Sequence, residues 1–208
     1  FIDDAEFLKE TNPTAYENEY MGIANGTGGN VFDNVVIREV TDDEIQTFDR
    51  FYRGVDWGWY PDPFAYDCMT YIPSQHKLII FDEEHCNKKS NRETAELLRT
   101  KHGVTSNDLI TCDSAEQKSV GDYRADGLMA RSAEKGPGSV VYSMKWLQSL
   151  REIVIDNTRC PHTAQEFLDY EYERDKDGNV ISGYPDKDNH HIDAVRYAMN
   201  RVWKRRGE

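Results

Sequence analysis

The chain has 208 residues, with 38 acidic against 25 basic side chains, a formal net charge of −13 and a pI of about 4.9. Taken whole, that balance argues against a nucleic-acid binder, and 38% hydrophobic with 12% aromatic residues excludes an unbroken disordered chain. The longest apolar run, Leu78-Ile79-Ile80-Phe81, is far short of the ~20 residues that cross a bilayer, and no basic segment leading into an apolar stretch opens the sequence. Neither a membrane span nor a signal peptide is expected.

Residues 1–50 read as an acidic arm or linker. A short helix over 7–20, interrupted at Asn12-Pro13, is followed by a flexible turn over 25–30 that lacks the GxxxxGK[ST] spacing of a phosphate loop. Thr41 with Glu44 three residues on predicts a capping box and a helix ending near Arg50.

From residue 51 the character changes. Strands are predicted over 52–58, 64–72 and 77–85, joined by turns at Pro61-Asp62-Pro63 and Pro73-Ser74-Gln75-His76, which suggests an antiparallel meander. A helix over 91–102, capped by Asn91 and stopped by Gly103, leads to a short strand over 108–113. Further helices are predicted over 115–126, 139–150, 163–170 and 189–205, with strands over 128–131 and 152–155. Asp175-Lys176-Asp177-Gly178-Asn179 marks a hairpin turn within 171–185. The fold class is α/β. Over 51–208 a mixed central sheet, antiparallel at first and then parallel, carries helices on both faces and an extra hairpin before the last helix. Cysteines 68, 86, 112 and 160 form no CxxC pair and are expected as reduced thiols.

Charge is unevenly spread. Residues 1–50 hold twelve acids and three bases, whereas 117–151 holds six bases, Lys118, Arg124, Arg131, Lys135, Lys145 and Arg151, against three acids. A local cationic surface is compatible with an acidic total, and the five bases Lys118, Arg124, Arg131, Lys135 and Lys145 are candidate phosphate contacts or scattered surface charge.

Three acids stand out by setting. Asp56 lies inside an apolar strand, where a lone carboxylate is expensive to bury, and the flanking Gly54 and Gly58 leave room for a ligand. Asp113 ends a strand, where open α/β sheets bind ligands, or serves as a helix N-cap. Asp193 lies in the first turn of the last helix, a position the helix dipole also favours. His190 shares its helical face, while His191 points elsewhere. Hard oxygen ligands of this kind suit Mg²⁺ or Mn²⁺, and two such ions can activate water and stabilise a leaving oxygen in phosphodiester hydrolysis. Trp57 and Trp59 read as packing residues.

The β-β-β-α-β-α order with these acids resembles the RNase H-like nuclease superfamily. Gly54-Val55-Asp56-Trp57-Gly58, Ile110-Thr111-Cys112-Asp113-Ser114-Ala115-Glu116, Lys135-Gly136-Pro137-Gly138-Ser139-Val140 and His190-His191-Ile192-Asp193-Ala194-Val195-Arg196-Tyr197 resemble the nuclease domain of tailed-phage large terminase subunits. Asn12-Pro13-Thr14-Ala15-Tyr16-Glu17-Asn18-Glu19-Tyr20-Met21-Gly22 is similar to the segment that follows their packaging ATPase. The resemblance implies a metal-dependent endonuclease that cuts concatemeric double-stranded viral DNA in the host cytoplasm. It implies Asp56, Asp113 and Asp193 as ligands of two Mg²⁺ or Mn²⁺ ions, with His190 beside them. It also implies an N-terminal ATPase domain, a portal protein and a small terminase subunit as partners. No Walker A lysine loop is present, so the motor is expected to be absent from this chain. Sequence preference should be weak, as should the DNA affinity of so acidic a piece. By the same analogy the hairpin before Asp193 would gate or guide DNA. A resolvase or exonuclease of the same superfamily, and a non-catalytic module docking on portal or small subunit, are the alternatives.

Overall fold

A computed structural model of the chain describes residues 29–204 apart from Ser182; the helix expected over 7–20 and most of the turn over 25–30 lie outside the described residues. Strand β1 (Val35–Ile37) and the one-turn helix α1 (Asp42–Gln46) precede the three long strands β2 (Tyr52–Asp56), β3 (Phe64–Ile72) and β4 (Lys77–Cys86). These three pair antiparallel in succession, as the meander reading expects. Helix α2 (Asn91–Thr100) leads to β5 (Leu109–Cys112), α3 (Gln117–Ala125) and β6 (Met129–Ser132). Helix α4 (Ser139–Gln148), β7 (Glu152–Ile155), α5 (Pro161–Asp169), α6 (His190–Ala198) and α7 (Asn200–Lys204) complete the order. The seven strands run β1-β7-β4-β3-β2-β5-β6 across one sheet, with β5 parallel to β2, β6 to β5, β7 to β4 and β1 to β7.

Both faces of the sheet are covered, so the central strands are apolar on both sides. In β4 the side chains alternate. Leu78 and Ile80 join Met144, Leu147, Phe167, Ile192 and Val195 on the face of α4 to α7, while Ile79 and Phe81 join Leu98, Val120 and Tyr123 on the face of α2 and α3. Of the expected arm, residues 31–40 join the core, while 41–50 hold no buried side chain. Val31, Phe32 and Val40 are buried, β1 extends the sheet beyond β7, and the Asn34 side-chain amide donates to the carbonyls of Leu147 (2.9 Å) and Leu150 (2.8 Å).

Several ends differ from the sequence reading. Ser90, not Asn91, caps α2, in a complete capping box with Glu93. Asn91 instead reaches across to Ser119 (3.1 Å) and Asp122 (2.8 Å), tying α2 to α3. At α1 Thr41 accepts from the Glu44 N–H at 3.2 Å, but the Glu44 carboxylate is taken by Arg38 at 2.7 Å and the box stays half made. The hairpin of 171–185 is a tight turn at Asp175 closed by one bridge, Arg174 to Val180. The last helix is divided at Met199. All four cysteines are unpaired, three of them buried.

His102 illustrates how charge is held under this sheet. Its side chain is 2% exposed, with Nδ1 donating to Asp82 and Nε2 to Glu84, each at 2.8 Å. Burial pulls its pKa down, but the two carboxylate hydrogen bonds outweigh that and raise it above the usual 6.5. A raised folded-state pKa stabilises fully below the unfolded value and loses that contribution as pH climbs through the raised one. Urea midpoints are therefore expected to fall as pH rises from about 6.5 through the raised value, and His102→Gln should flatten that part of the profile.

Candidate active site

Helix α6 lies on β2 at Gly54. A Cβ there would stand 1.8 Å from the carbonyl oxygen of Ala194 and 3.0 Å from the Ala198 methyl, so only glycine lets the helix backbone come this close. At Gly58 a Cβ would meet the Pro63 carbonyl oxygen at 2.0 Å. The space expected at both glycines for a ligand is filled by the chain itself. Its consequence is indirect: it sets the first turn of α6 beside the C-terminal end of β2.

Four of the residues singled out from the sequence lie around that end. Asp56, the last residue of β2, is 9% exposed, and its carboxylate is 3.1 Å from His190 Nδ1. Burial pushes its pKa up to about 6; the His190 hydrogen bond opposes this, and the charges of Asp193 and Asp113 add to it. The His190 pKa is raised in turn by Asp56, and its Nε2 is 3.6 Å from Asp62. Asp113 follows β5, and its backbone N–H donates to the Val55 carbonyl at 3.0 Å, which seats it next to Asp56. Its carboxylate is bonded to Lys135 and accepts from the Ala115 N–H at 3.1 Å. That is a local turn rather than the helix cap that was the other reading; Glu116 occupies the cap position of α3. Asp193, in the first turn of α6, pairs with Arg196 and lies 3.4 Å from the Tyr197 hydroxyl. Burial raises its pKa, and Arg196 and Lys135 oppose the rise. Tyr197 is held strongly neutral by burial and by the charges of Asp193, Asp56 and Asp113 together.

Of the five bases considered for phosphate contact, Lys135 bonds one of these acids, Asp113. Lys118 and Arg124 are exposed on α3, Arg124 donating to the Ala130 carbonyl at 2.8 Å. Arg131 is half-buried on β6 with Nε on the Thr111 hydroxyl at 2.9 Å, and Lys145 is half-buried on α4. The sequence reading missed Arg196 and Tyr197, whose spacing of three and four residues from Asp193 places them on its helical face.

It also missed a second cluster. Among the described residues one group of acidic and histidine side chains has its ligand atoms all within 4.8 Å of one another, and it is Asp67, Glu83 and His191. The centre of this group is occupied by the Thr163 hydroxyl, 2.5 Å from Asp67, 2.7 Å from Glu83 and 3.2 Å from His191 Nδ1. His191 Nδ1 also bonds Asp67 at 2.8 Å, and its Nε2 meets His85 at 3.0 Å. Glu83 accepts from the backbone N–H of His162 (3.1 Å) and Thr163 (2.8 Å), and Glu166 from those of His191 (2.7 Å) and Ile192 (3.2 Å). Burial lowers the His191 pKa, but Asp67 and the neighbouring carboxylates raise it further and keep the ring charged. Every polar atom named has an internal partner, which marks a support for the N-terminus of α6, closed to a substrate.

Two substitutions test this construction. Gly54→Ala must push α6 from β2 and is expected to cost at least the about 1–3 kcal/mol of core over-packing, measured by urea unfolding. Asp67→Ala takes from the buried His191 ring its hydrogen-bonded counter-charge and should cost about 3–5 kcal/mol in the same assay.

Comparison with known proteins places this geometry. The pattern of the terminase RNase H-like domain family matches residues 56–201. The chain is 38% identical over its whole length to the large terminase subunit of Bacillus phage SPP1, and spans 50% of that protein. It is 31% identical over 72% of its length to the PBSX phage terminase large subunit of Bacillus subtilis, spanning 34% of it. The crystal structure of the SPP1 large terminase nuclease domain with bound Mn superposes with a TM-score of 0.76 at 36% identity, covering 82% of this chain and 98% of that one. The likeness in fold, in sequence and across the segment bearing Asp56, Asp113 and Asp193 is of one kind: the chain belongs to the terminase RNase H-like domain family.

Proposed function

We propose that this chain is a metal-dependent endonuclease that cuts concatemeric double-stranded viral DNA during genome packaging, with little sequence preference. The observation that carries the reading is the meeting of Asp56, Asp113, Asp193 and His190 at one edge of the sheet, each acid paired with a different basic side chain: His190, Lys135 and Arg196 respectively. Carboxylate oxygens are the donor set that Mg²⁺ or Mn²⁺ prefers. Asp56, Asp113 and Asp193 would hold the ions, two in number. An Asp56 carboxyl pushed up to about 6 by burial and like charges is a group that a divalent cation would keep ionised. Bound there, divalent cations supply positive charge for the attacking water and the departing 3′ oxygen of an in-line displacement.

The chain's own groups do the rest. His190 orients the Asp56 carboxylate. Lys135, paired with Asp113 at the edge of the site, is the cation placed to meet a backbone phosphate. Tyr197, kept neutral, offers its hydroxyl as a donor to Asp193. Cleavage adds water across one P–O3′ bond and leaves a 5′-phosphate and a 3′-hydroxyl. Lys118, Arg124, Arg131 and Lys145 would act, if on DNA, as sequence-independent phosphate contacts away from the acids. Because the chain spans half the SPP1 protein, an ATPase domain, a portal and a small terminase subunit belong to the same proposal as partners, and the host cytoplasm as the setting.

With Mn²⁺, the protein is expected to nick and then linearise supercoiled plasmid, and Asp56→Ala to lower that rate by about 10²-fold or more. Equal cutting by both proteins removes Asp56 from the mechanism. Faster action on linear ends, four-way junctions or RNA–DNA hybrids than on plasmid favours an exonuclease or resolvase. Absence of Mn²⁺ binding heat favours a docking module.

A further inference from the structure

The loop 57–63, which leaves Asp56 and leads to β3, carries three large aromatic side chains that behave differently. Trp57 is a packing residue, as expected, edge-on to Tyr123 at 4.7 Å and tilted against Phe64 at 5.9 Å between ring centres. Trp59 was expected to pack as well, but it is 58% exposed, and Tyr60 is 65% exposed. The reason is that Trp57 already fills the space over α3, and the loop turns outward beyond it. The loop is firmly held. The Asn87 side-chain amide donates to the Asp62 carbonyl at 3.0 Å and lies 3.3 Å from that of Trp59, while the Lys88 N–H donates to the Trp59 carbonyl at 2.8 Å. Two large aromatics fixed in solvent by such a loop form a surface prepared for a partner.

Cations surround it. Lys88 Nζ lies 4.4 Å from the centre of the Tyr60 ring, and Trp59, Lys89 and Arg92 line an open cavity of about 720 Å³. Glu116, Asp122 and Asp126 line its other side; Asp122 is engaged by Asn91 at 2.8 Å. Phosphate is therefore drawn to the Lys88–Arg92 rim and repelled from the α3 wall. Topology fixes where this rim stands. β2, β4 and β5 run in the same direction, so the segments following Asp56, Cys86 and Cys112 emerge at one edge of the sheet. The aromatics, the cations and the candidate catalytic acids share that edge.

We infer that the 57–63 loop and the Lys88–Arg92 rim form a nucleic-acid subsite beside the catalytic acids, where Trp59 stacks on an unpaired base of the strand flanking the cut and Lys88, Lys89 and Arg92 take its phosphates. The assignment rests on the proposed function for the identity of the ligand, and its test is separable. Binding of a fluorescein-labelled single strand of about twelve nucleotides is read by anisotropy without divalent metal. Trp59→Ala is expected to weaken binding about tenfold, with part of the affinity recovered in Trp59→Phe. Lys88→Ala and Lys89→Ala should each lower the slope of affinity against salt by about one. Unchanged thermal melting shows that the exposed Trp59 is not a folding residue. A Trp59→Ala protein that binds as tightly as wild type, or a wild type that binds no strand, overturns the subsite and points to a protein partner for the aromatics. Plasmid cutting by Asp56→Ala at the wild-type rate would sink the catalytic reading while leaving a Trp59 binding effect intact.

Discussion

Helix α6 touches the backbone of β2 at Gly54, and the strand register shows what that contact organises. Gly54 lies opposite Asp67, and Asp67 opposite Glu83, so one row crosses three strands on the α6 face of the sheet. Its first member has no side chain, which admits the helix; the next two are carboxylates, which hold the helix N-terminus through His191 and Thr163. Two buried carboxylates would be very costly alone. Here the charged His191 ring, the Thr163 hydroxyl and the backbone N–H groups of α5 offset that cost. Glu166 satisfies two N–H groups that a helix start otherwise leaves without partners. The position of His190, one residue before His191, and of Asp193, two residues after it, follows from this anchoring. The site is thus set by contacts that never meet a substrate.

Asp56 and Asp67 show why one buried acid reads as functional and the other as structural. Both interrupt apolar strands, and both project from the α6 face. Asp67 is fully buried, and its oxygens are bonded to Thr163 and His191. Asp56 has one bonded partner, His190, and faces the charges of Asp113 and Asp193 at the open end of the sheet. Its pKa stays raised because the surroundings under-compensate it, and such under-compensation at a solvent edge is where a cation gains most by binding. Spacing alone does not separate the two, since among the described residues the acid and histidine group with its ligand atoms within 4.8 Å of one another is the one filled by the Thr163 hydroxyl.

Much of the fold was legible because the strands are long and their turns are marked by proline: β3 falls on residues 64–72 and β7 on 152–155, as the pattern predicts. β1 was not legible. Its three residues, Val35-Val36-Ile37, become a strand only by pairing with β7, more than a hundred residues away, and no local signal announces that. The glycines were noticed for the wrong reason, since sequence cannot say whether a ligand or a helix fills the space. Asp67 carries the same signal as Asp56, an acid within Ala65-Tyr66-Asp67-Cys68-Met69, but without flanking glycines. Trp59 differs from Trp57 only in what already covers α3, which is a tertiary fact.

The charge of the chain bears on how such a site would be used. A net charge of −13 opposes a long-lived complex with DNA, and beyond His190 and Arg196, which are engaged by Asp56 and Asp193, the cations near the acids are Lys135 at Asp113 and Lys88, Lys89 and Arg92 on the neighbouring rim. Under the proposed function, affinity must then come from elsewhere in the assembled machine, and these few contacts serve to orient rather than to capture. Orientation is what a fixed aromatic loop and an anchored helix provide, because both are held before any substrate arrives. Under that same proposal, an acidic domain that is geometrically ready but holds DNA weakly by itself would act only on DNA delivered to it.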